Sequence, residues 1–224
     1  TEQQVCPGCP NHCTVVQYKF SNGNCYYSGN NCEKVFANIS EGRQKGKNQH
    51  HERLKLLYKR PSLPLKEGRL RIGIPRSLGM FELYPFWHAL FKACGFTTVL
   101  SGPSTVKEYE KGLHTVMSEN ICFPAKLMHG HIYDLAERGV DRIFYPYIVM
   151  EQKADPQVRN SYNCPIVAGY SDVIRNAIDT EERFGIPLDA PVVSMNDDKL
   201  MRAGCRDYLK NLGVDRKTAD AAID

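Results

Sequence analysis

From residue 70 onward the chain alternates between short apolar stretches and longer stretches with apolar positions three or four residues apart. Short apolar runs bounded by turn residues are typical of buried strands, and the longer spacing is typical of amphipathic helices. The pattern predicts strands at 70–75, 97–101, 142–146, 166–168 and 192–193. It predicts helices at 80–94, 104–117, 123–138, 171–178 and 197–212. This alternation indicates an α/β fold, with a doubly wound, mostly parallel sheet and helices on both faces.

The first 66 residues are organised differently. Strand-forming residues at 14–20, an Asn-Gly turn at Asn22 and Gly23, and a return at 25–28 predict a hairpin. A polar, basic stretch with a short helix near 52–59 follows. We therefore expect three parts: a Cys-rich metal-binding hairpin module at 1–39, a basic linker at 40–66 and the α/β domain at 67–224.

Composition narrows the class of protein. Hydrophobic residues make up 42% of the chain and charged residues 24%, as in globular proteins, and no apolar run approaches the roughly 20 residues of a membrane helix. The nine cysteines are an odd number, and five of them lie between Cys6 and Cys32, which argues against the disulfide scaffold of a secreted protein. We expect a reducing, cytoplasmic compartment.

Four N-terminal cysteines have the spacing of metal ligands: Cys6, Cys9, Cys13 and Cys32. Three thiols within eight residues and a fourth beyond a hairpin can converge on one tetrahedral centre. Both zinc and a 4Fe-4S cluster accept four thiolates, and the residues leave that choice open, because a zinc ribbon usually has two CxxC knuckles and this segment has one. Cys25 and His12 are not assigned as ligands, because either would be a fifth one; Cys25 is expected to be a hairpin residue.

The charge of the chain is only mildly positive, at +4. The segment from Lys34 to Arg60 contains eight Lys or Arg residues and only two Glu, a composition that is typical of a solvated linker. A segment that contacts phosphates would use the same charges, so nucleic-acid binding is the least favoured alternative.

A second group of cysteines lies within the α/β pattern. Pro124 predicts a helix that starts just after Cys122, where the helix dipole favours a thiolate. Ligands of doubly wound sheets gather beyond the carboxyl ends of the strands, where residues 75–77, 101–104 and 146–147 are expected. We expect Cys122 and Cys164 to join that crevice, and the alternative is that each is an ordinary buried thiol.

Other polar residues near the crevice have two interpretations each. His129 and His131 are two residues apart on a helix, so they face different sides and cannot share a metal; a core or surface role is expected for each. Ser77 and Ser104 either contact phosphate oxygens or cap helices. No P-loop, Gly-x-Gly-x-x-Gly or Gly-x-Ser-x-Gly motif supports nucleotide hydrolysis or triad chemistry. Three further residues are expected in the core: Cys94, Cys205 and Trp87.

Taken in order, several short motifs resemble one family. They are Ile72-Gly73-Ile74-Pro75-Arg76, Tyr84-Pro85-Phe86-Trp87, Leu100-Ser101-Gly102-Pro103-Ser104, Cys122-Phe123-Pro124-Ala125-Lys126, Ile143-Phe144-Tyr145-Pro146 and Asn163-Cys164-Pro165. Together they resemble the domain found in large activase-related proteins of the 2-hydroxyacyl-CoA dehydratase group. The N-terminal cysteines, which end in Gly29-Asn30-Asn31-Cys32-Glu33, resemble the segment that precedes that domain.

The resemblance implies a cytoplasmic protein of an anaerobe, usually with ATP-binding activase modules elsewhere in the chain. Those modules pass an electron from an iron–sulfur cluster to a dehydratase, whose subunits hold a 4Fe-4S cluster through three cysteines. The resemblance makes Cys122 and Cys164 candidate ligands of such a cluster, although residues 147–149 after the third strand offer no third thiol.

The function that the resemblance implies is that of a component rather than of an independent enzyme. We expect the chain to serve electron transfer or docking, without turnover of its own. Its expected partners are other domains of a larger parent chain or dehydratase subunits, with an acyl-CoA as a further candidate. The alternative is a zinc-stabilised, non-redox scaffold for subunit interaction.

Overall fold

The computed structural model describes residues 1–38 and 47–224, which form two compact units, Thr1–Gln49 and His50–Asp224. Of the predicted linker, residues 40–46 lie outside the described residues, as does residue 39 at the end of the predicted hairpin module. The rest of that stretch contains helix α1, Gln49–Tyr58, which includes most of the short helix predicted near 52–59.

The N-terminal unit is built on a three-stranded antiparallel sheet, in the order β1-β2-β3. Its strands are β1 (Glu2–Val5), β2 (Thr14–Lys19) and β3 (Cys25–Ser28). The β2–β3 pair is the predicted hairpin, with Gly23 at φ +80° in its turn, a conformation that suits glycine. Strand β1 was not predicted, because its sequence is polar and it depends on β2 for every hydrogen bond.

The second unit carries the strand and helix alternation that the pattern predicted. Its strands are β4 (Arg71–Ile74), β5 (Thr97–Leu100), β6 (Arg142–Phe144) and β7 (Leu188–Asp189). Its further helices are α2 (Met80–Ala93), α3 (Val106–Gly112), α4 (Phe123–Glu137), α5 (Pro165–Ile178), α6 (Thr180–Phe184), α7 (Asp198–Asn211) and α8 (Arg216–Ile223).

The four strands form one parallel sheet in the order β5-β4-β6-β7, flanked by helices. The expectation of an α/β fold with a parallel sheet is therefore confirmed. Because the chain passes from β4 outward to β5 and then returns to the other side at β6, the strand order reverses between β4 and β6. A reversal of this kind is where ligands bind in open α/β sheets. We use the name carboxyl edge for the loops 75–79, 101–105 and 145–150 that follow β4, β5 and β6.

Aromatic side chains of α2 and the central strands form the core. Trp87 is fully buried, with its ring 4.7 Å from that of Phe144 and its neighbour Phe91 4.9 Å from the same ring. The expected packing role of Trp87 is thereby confirmed. Cys205 is also buried, whereas Cys94 is half-buried. Burial of Cys205 raises the pKa of its thiol to about 12. Partial burial likewise raises the pKa of the Cys94 thiol to about 11.

The strand predicted at 166–168 is wrong, because these residues form the first turn of α5. The β-branched Ile166 and Val167 favour a strand locally. However, Pro165 occupies the first helical turn, where its missing N–H is tolerated, and apolar residues recur every four positions from Ile166 to Ile178. The fourth strand of the sheet is instead β7, a two-residue element without an apolar run that would predict it. At the strand predicted for 192–193, Val192 makes only an isolated bridge to Tyr147.

The helix predicted at 104–117 is shorter than expected. Its α-helical part, α3, ends at Gly112 and is followed by a 3-10 turn at Leu113–Thr115. Gly112 and Gly130 explain the early end, because α3 and α4 cross so closely there that a Cβ on Gly130 would overlap the carbonyl oxygen of Glu108. This crossing brings α4 against the loop that follows β5.

Candidate functional site

The four cysteines predicted as metal ligands line one cavity of about 200 Å³ in the N-terminal unit. They come from two segments: the loop between β1 and β2 supplies Cys6, Cys9 and Cys13, and the loop after β3 supplies Cys32. Backbone hydrogen bonds shape the first loop, since the Cys6 N–H donates to the Cys13 carbonyl at 2.8 Å. His12 lies in this loop at φ +42°, a left-handed conformation that non-glycine residues seldom adopt.

A glycine keeps this cavity open. A Cβ on Gly8 would lie 2.5 Å from the Cγ2 atom of Val35 and 3.5 Å from the Cys6 sulfur, so a side chain there would fill the space beside the thiol. Thiols are the donors that zinc and iron–sulfur clusters take. The residues present therefore fit a thiolate-bound group.

The four thiols line the same cavity, but they do not surround a common point at metal-binding distance. Within residues 1–38 and 47–224, no three His, Cys, Asp or Glu side chains are arranged so that they could hold a metal ion in common. Cys25, expected to be a hairpin residue, lies in β3 and accepts a hydrogen bond from Gln17 Nε2 at 3.2 Å. The ligand assignment of the four cysteines remains a prediction.

Cys122 and Cys164 occupy equivalent places on two helices that pack together. Cys122 is the N-cap of α4 and Cys164 the N-cap of α5, and each helix has a proline in its first turn. Both thiols are exposed, so the alternative of buried structural cysteines is wrong for both. Their N-cap positions place them beside the unpaired N–H groups and the positive dipole end of a helix.

A buried hydrogen-bond chain begins at the hydroxyl of Tyr170 on α5. Burial raises the pKa of this hydroxyl to about 12, and the nearby Cys122 adds a smaller contribution in the same direction. Tyr170 Oη lies 2.9 Å from His129 Nε2, and His129 Nδ1 lies 2.8 Å from Thr115 Oγ1. The Thr115 hydroxyl donates its proton to the Gly112 carbonyl at 2.8 Å. His129 Nδ1–H must therefore donate to Thr115, which leaves Nε2 to accept from Tyr170.

The second histidine of α4 faces the loop after β5. His131 Nδ1 lies 3.0 Å from Ser101 Oγ, and His131 Nε2 lies 3.0 Å from Ser104 Oγ. Both α4 histidines are fully buried, which confirms a core role for each and the expectation that they face different sides. Burial lowers the pKa of each imidazole to about 4, so both are neutral at pH 7.

The loops of the carboxyl edge are pinned to one another by polar contacts. Ser101 Oγ accepts the N–H of Arg76 at 2.8 Å, which ties the loop after β5 to the loop after β4. Ser77 donates to the Pro124 carbonyl at 2.7 Å and so ties the loop after β4 to α4. Neither Ser77 nor Ser104 is a helix N-cap, so that alternative is wrong: Gly79 and Thr105 hold those positions.

A comparison with known protein families identifies the family of this domain. The family described as "CoA enzyme activase uncharacterised domain" matches residues 71–224, which is well over half of the chain. The chain belongs to this family. The resemblance to activase-related proteins of the 2-hydroxyacyl-CoA dehydratase group is thereby confirmed for this part of the sequence. No curated protein and no solved structure matches the chain.

The sequence pattern anticipated one of two further polar residues of this activase-related domain. Arg76, within residues 75–77, was expected at the crevice, whereas Tyr170 was not singled out. The Arg76 guanidinium lies over the ring of Tyr58, 3.9 Å from its centroid. Stacking of this kind holds a cation in place without neutralising it. Among the described residues, no helix is long and apolar enough to cross a membrane.

Proposed function

We propose that this activase-related chain is a metal-binding component of a 2-hydroxyacyl-CoA dehydratase system, serving electron transfer or docking of other components rather than independent turnover. The observation that carries the proposal is the single cavity lined by Cys6, Cys9, Cys13 and Cys32. An iron–sulfur cluster bound there would supply one-electron transfer. The proposed partners are dehydratase subunits or further domains of a parent chain, with an acyl-CoA as a candidate ligand.

The size of the cavity supports a cluster over a single ion. Its volume is about 200 Å³, whereas roughly 10–15 Å³ of the same kind of volume is enough to hold one water molecule. A lone zinc ion would require the thiols to close much of this space. Lys34 also lines the cavity, and its positive charge would offset the negative charge of four thiolates.

A zinc-stabilised, non-redox scaffold is the second candidate, and the small core of the N-terminal unit favours it. Among residues 1–38, only Cys6 and Val15 are buried. A unit of this size with so little buried apolar surface needs another source of stability, and structural zinc supplies folding free energy directly. The α/β unit would then act as a surface for partner subunits.

The exposed thiols Cys122 and Cys164 are proposed as partial ligands of a second cluster at the carboxyl edge. Their shared N-cap position supports this, because both thiols are exposed at the first turns of two helices that pack together. A third ligand would have to come from outside residues 147–149, which carry no thiol.

Metal analysis of protein purified without oxygen separates the two candidates. For a cluster at the N-terminal cysteines we expect several irons, acid-labile sulfide and visible absorption, and Cys9→Ser should lose the share of each that belongs to this site. The matched control is Cys25→Ser, a thiol of the same unit outside the set of lining residues, which should keep the full metal content. One zinc and no iron after reconstitution would refute the redox role, and no metal in either form would refute both candidates.

Chelation tests the zinc scaffold in a second way. Removal of the metal should unfold the N-terminal sheet while the fluorescence of Trp87, the one tryptophan of the chain and fully buried in the α/β unit, stays unchanged. A chelator that leaves the N-terminal sheet intact would contradict a structural role for zinc. Cys122→Ala and Cys164→Ala should reduce iron content without affecting the N-terminal site if a second cluster exists.

A further inference from the structure

The four cysteines that line the N-terminal cavity differ in how deeply they are buried. Cys6 is buried, Cys9 and Cys13 are half-buried, and Cys32 is exposed. A metal held among them would be shielded by protein on the side of the first three thiols, whereas solvent would reach it on the side of the fourth. The backbone that carries the thiols shows the same division.

The first three thiols lie on a loop that is fixed by the strand ladder. The pairing of β1 with β2 ends directly before Cys6 and begins directly after Cys13. The Cys6 N–H donates to the Cys13 carbonyl at 2.8 Å, so the ladder continues through these two cysteines. Inside the loop that they enclose, the His12 N–H donates to the Cys9 carbonyl at 3.2 Å. Hydrogen bonds of the backbone therefore hold the loop of all three thiols.

The fourth thiol lies on a loop that is held by a side chain instead. Across residues 1–38 and 47–224, no hydrogen bond between two backbone groups involves 30–37. The half-buried Asn30 donates from Nδ2 to the Cys32 carbonyl at 2.8 Å and to the Phe36 carbonyl at 3.0 Å. Asn30 also lines the cavity. One amide group thus fixes the backbone that presents the Cys32 thiol to the cavity.

Both ends of this second loop are anchored on the sheet. At its far end, Asn38 Oδ1 accepts the Tyr27 N–H at 2.7 Å and Asn38 Nδ2 donates to the Tyr27 carbonyl at 2.8 Å, as a paired strand would do. At its near end, Gly29 has φ +90°, and a Cβ there would overlap the Thr14 carbonyl oxygen. Between these anchors, the position of Cys32 depends on Asn30.

We propose that Cys32 is the exchangeable ligand of the N-terminal metal site and that Asn30 is the residue that positions it. This inference rests on the metal site proposed above. The other three thiols then retain the metal, and release of Cys32 opens one coordination position. A metal with three protein ligands and an open position can take a donor atom from another molecule.

The exchange is a ligand substitution and needs no oxidant or reductant. When the bond between the metal and the Cys32 sulfur breaks, the electron pair stays on the sulfur, which takes a proton from water. An incoming anionic donor, such as a thiolate, supplies the electron pair of the new bond. The site therefore has a closed form with four thiolates of this chain and an open form with three.

Asn30 sets the balance between the two forms. While its amide holds the loop, the conformational entropy of the backbone around Cys32 is already lost in the fold. Without the amide, the metal–sulfur bond has to order this loop by itself, so the open form becomes more populated. The loss of two hydrogen bonds between neutral groups should shift this equilibrium by about tenfold or more.

The test follows the labelling of cysteines by iodoacetamide in the full chain, reconstituted without oxygen with iron and sulfide and, separately, with zinc alone. Mass spectrometry gives the initial rate at each cysteine in the metal-free and in the loaded chain. We expect the metal to slow the labelling of the other three thiols about tenfold or more beyond its effect on Cys32. Asn30→Ala should speed the labelling of Cys32 in the loaded chain by about tenfold and leave the other three protected.

Asn22→Ala is the matched control. Asn22 Oδ1 accepts the Asn24 N–H at 3.0 Å in the turn between β2 and β3, so this substitution removes an asparagine amide from the same unit, outside the lining of the cavity. All four labelling rates should stay as in the unaltered chain. Equal speeding of all four cysteines in Asn30→Ala would indicate a loss of stability of the whole unit and would overturn the positioning role, as would no change at Cys32.

The unaltered chain separates this inference from the proposal on which it rests, with no substitution that risks the fold. If neither metal preparation protects any of the four thiols, the metal site itself is refuted. If all four thiols are protected equally, the metal site stands and the exchangeable role of Cys32 is refuted.

Serine variants give a second readout. Cys32→Ser should still take up metal but lose it to a chelator about tenfold faster or more, whereas Cys13→Ser should take up none at this site. Addition of 2-mercaptoethanol should slow the loss from Cys32→Ser, because its thiolate fills the open position. Equal loss of metal uptake in the two variants would overturn the proposal.

Discussion

Acid should weaken the α/β unit well above the pH at which its carboxylates protonate, because two fully buried histidines on α4 are uncharged in the fold. Burial lowers the pKa of His129 and of His131 to about 4, from 6.5 in the unfolded chain. Between these values the unfolded chain binds more protons than the folded one. Stability is therefore complete above pH 6.5 and is lost progressively as the pH falls toward 4.

The size of this effect follows from the two pKa values. At pH 5, an unfolded histidine with a pKa of 6.5 is almost fully protonated, and a folded one with a pKa of about 4 is almost fully neutral. Each of the two residues then costs about 2 kcal/mol of unfolding free energy relative to pH 7.5, or about 4 kcal/mol together. His88 acts in the same direction, since burial lowers its pKa also. A loss of this size is a large part of the 5–15 kcal/mol typical of a domain.

The assay is urea unfolding at pH 7.5 and at pH 5, followed by the fluorescence of Trp87 in the core of the α/β unit. His131→Gln lowers stability at both pH values but should remove about 2 kcal/mol of the difference between them. The control is His50→Gln, an exposed histidine of α1, which should leave the difference unchanged. A loss below about 1 kcal/mol in the unaltered chain would refute the reasoning.

Two further predictions concern packing. Gly130→Ala should destabilise the α/β unit by about 3 kcal/mol or more in urea unfolding, because the new Cβ overlaps the carbonyl oxygen of Glu108. Gly169→Ala in α5 is the matched control, since its Cβ meets Tyr147 Cε1 at an ordinary 3.6 Å; a similar loss there would contradict the close crossing of α3 and α4. Tyr208→Phe should cost about 1.5–3 kcal/mol, because it removes the 2.8 Å hydrogen bond to the charged Asp189 carboxylate; a loss no greater than the error of the unfolding measurement would contradict this.

Elements that bury an apolar face were predictable from the sequence, and elements held by their neighbours were not. The strand at Arg71–Ile74 and the helix at Met80–Ala93 show a clear periodicity of their own. Strand β7 is two residues long and pairs with β6 because Arg142 holds Asp189 through two 2.6 Å hydrogen bonds. That contact joins residues 47 positions apart, so no local pattern could announce it.

Site residues divide in the same way. The spacing of Cys6, Cys9, Cys13 and Cys32 anticipated a shared location because a short loop and a hairpin bring them together. The roles of Tyr170 and Arg76 depended instead on the packing of α5 against α4 and of α1 beneath the loop after β4. The sequence offered one signal for the role of Tyr170: its hydroxyl lies within an apolar helical stripe, and a buried hydroxyl needs a hydrogen-bond partner.

Helix α4 links the features of the carboxyl edge. Cys122 caps its first turn, and its middle carries His129 and His131, which face opposite ways because a separation of two residues turns a helix by about 200°. One histidine holds the tyrosine near Cys122, and the other holds Ser104. Since α4 is locked to α3 through glycine contacts, a ligand at its first turn acts on one rigid element. A ligand at Cys122 should therefore stabilise this helix, so its binding protects the amides of α4 from hydrogen exchange before those of α7.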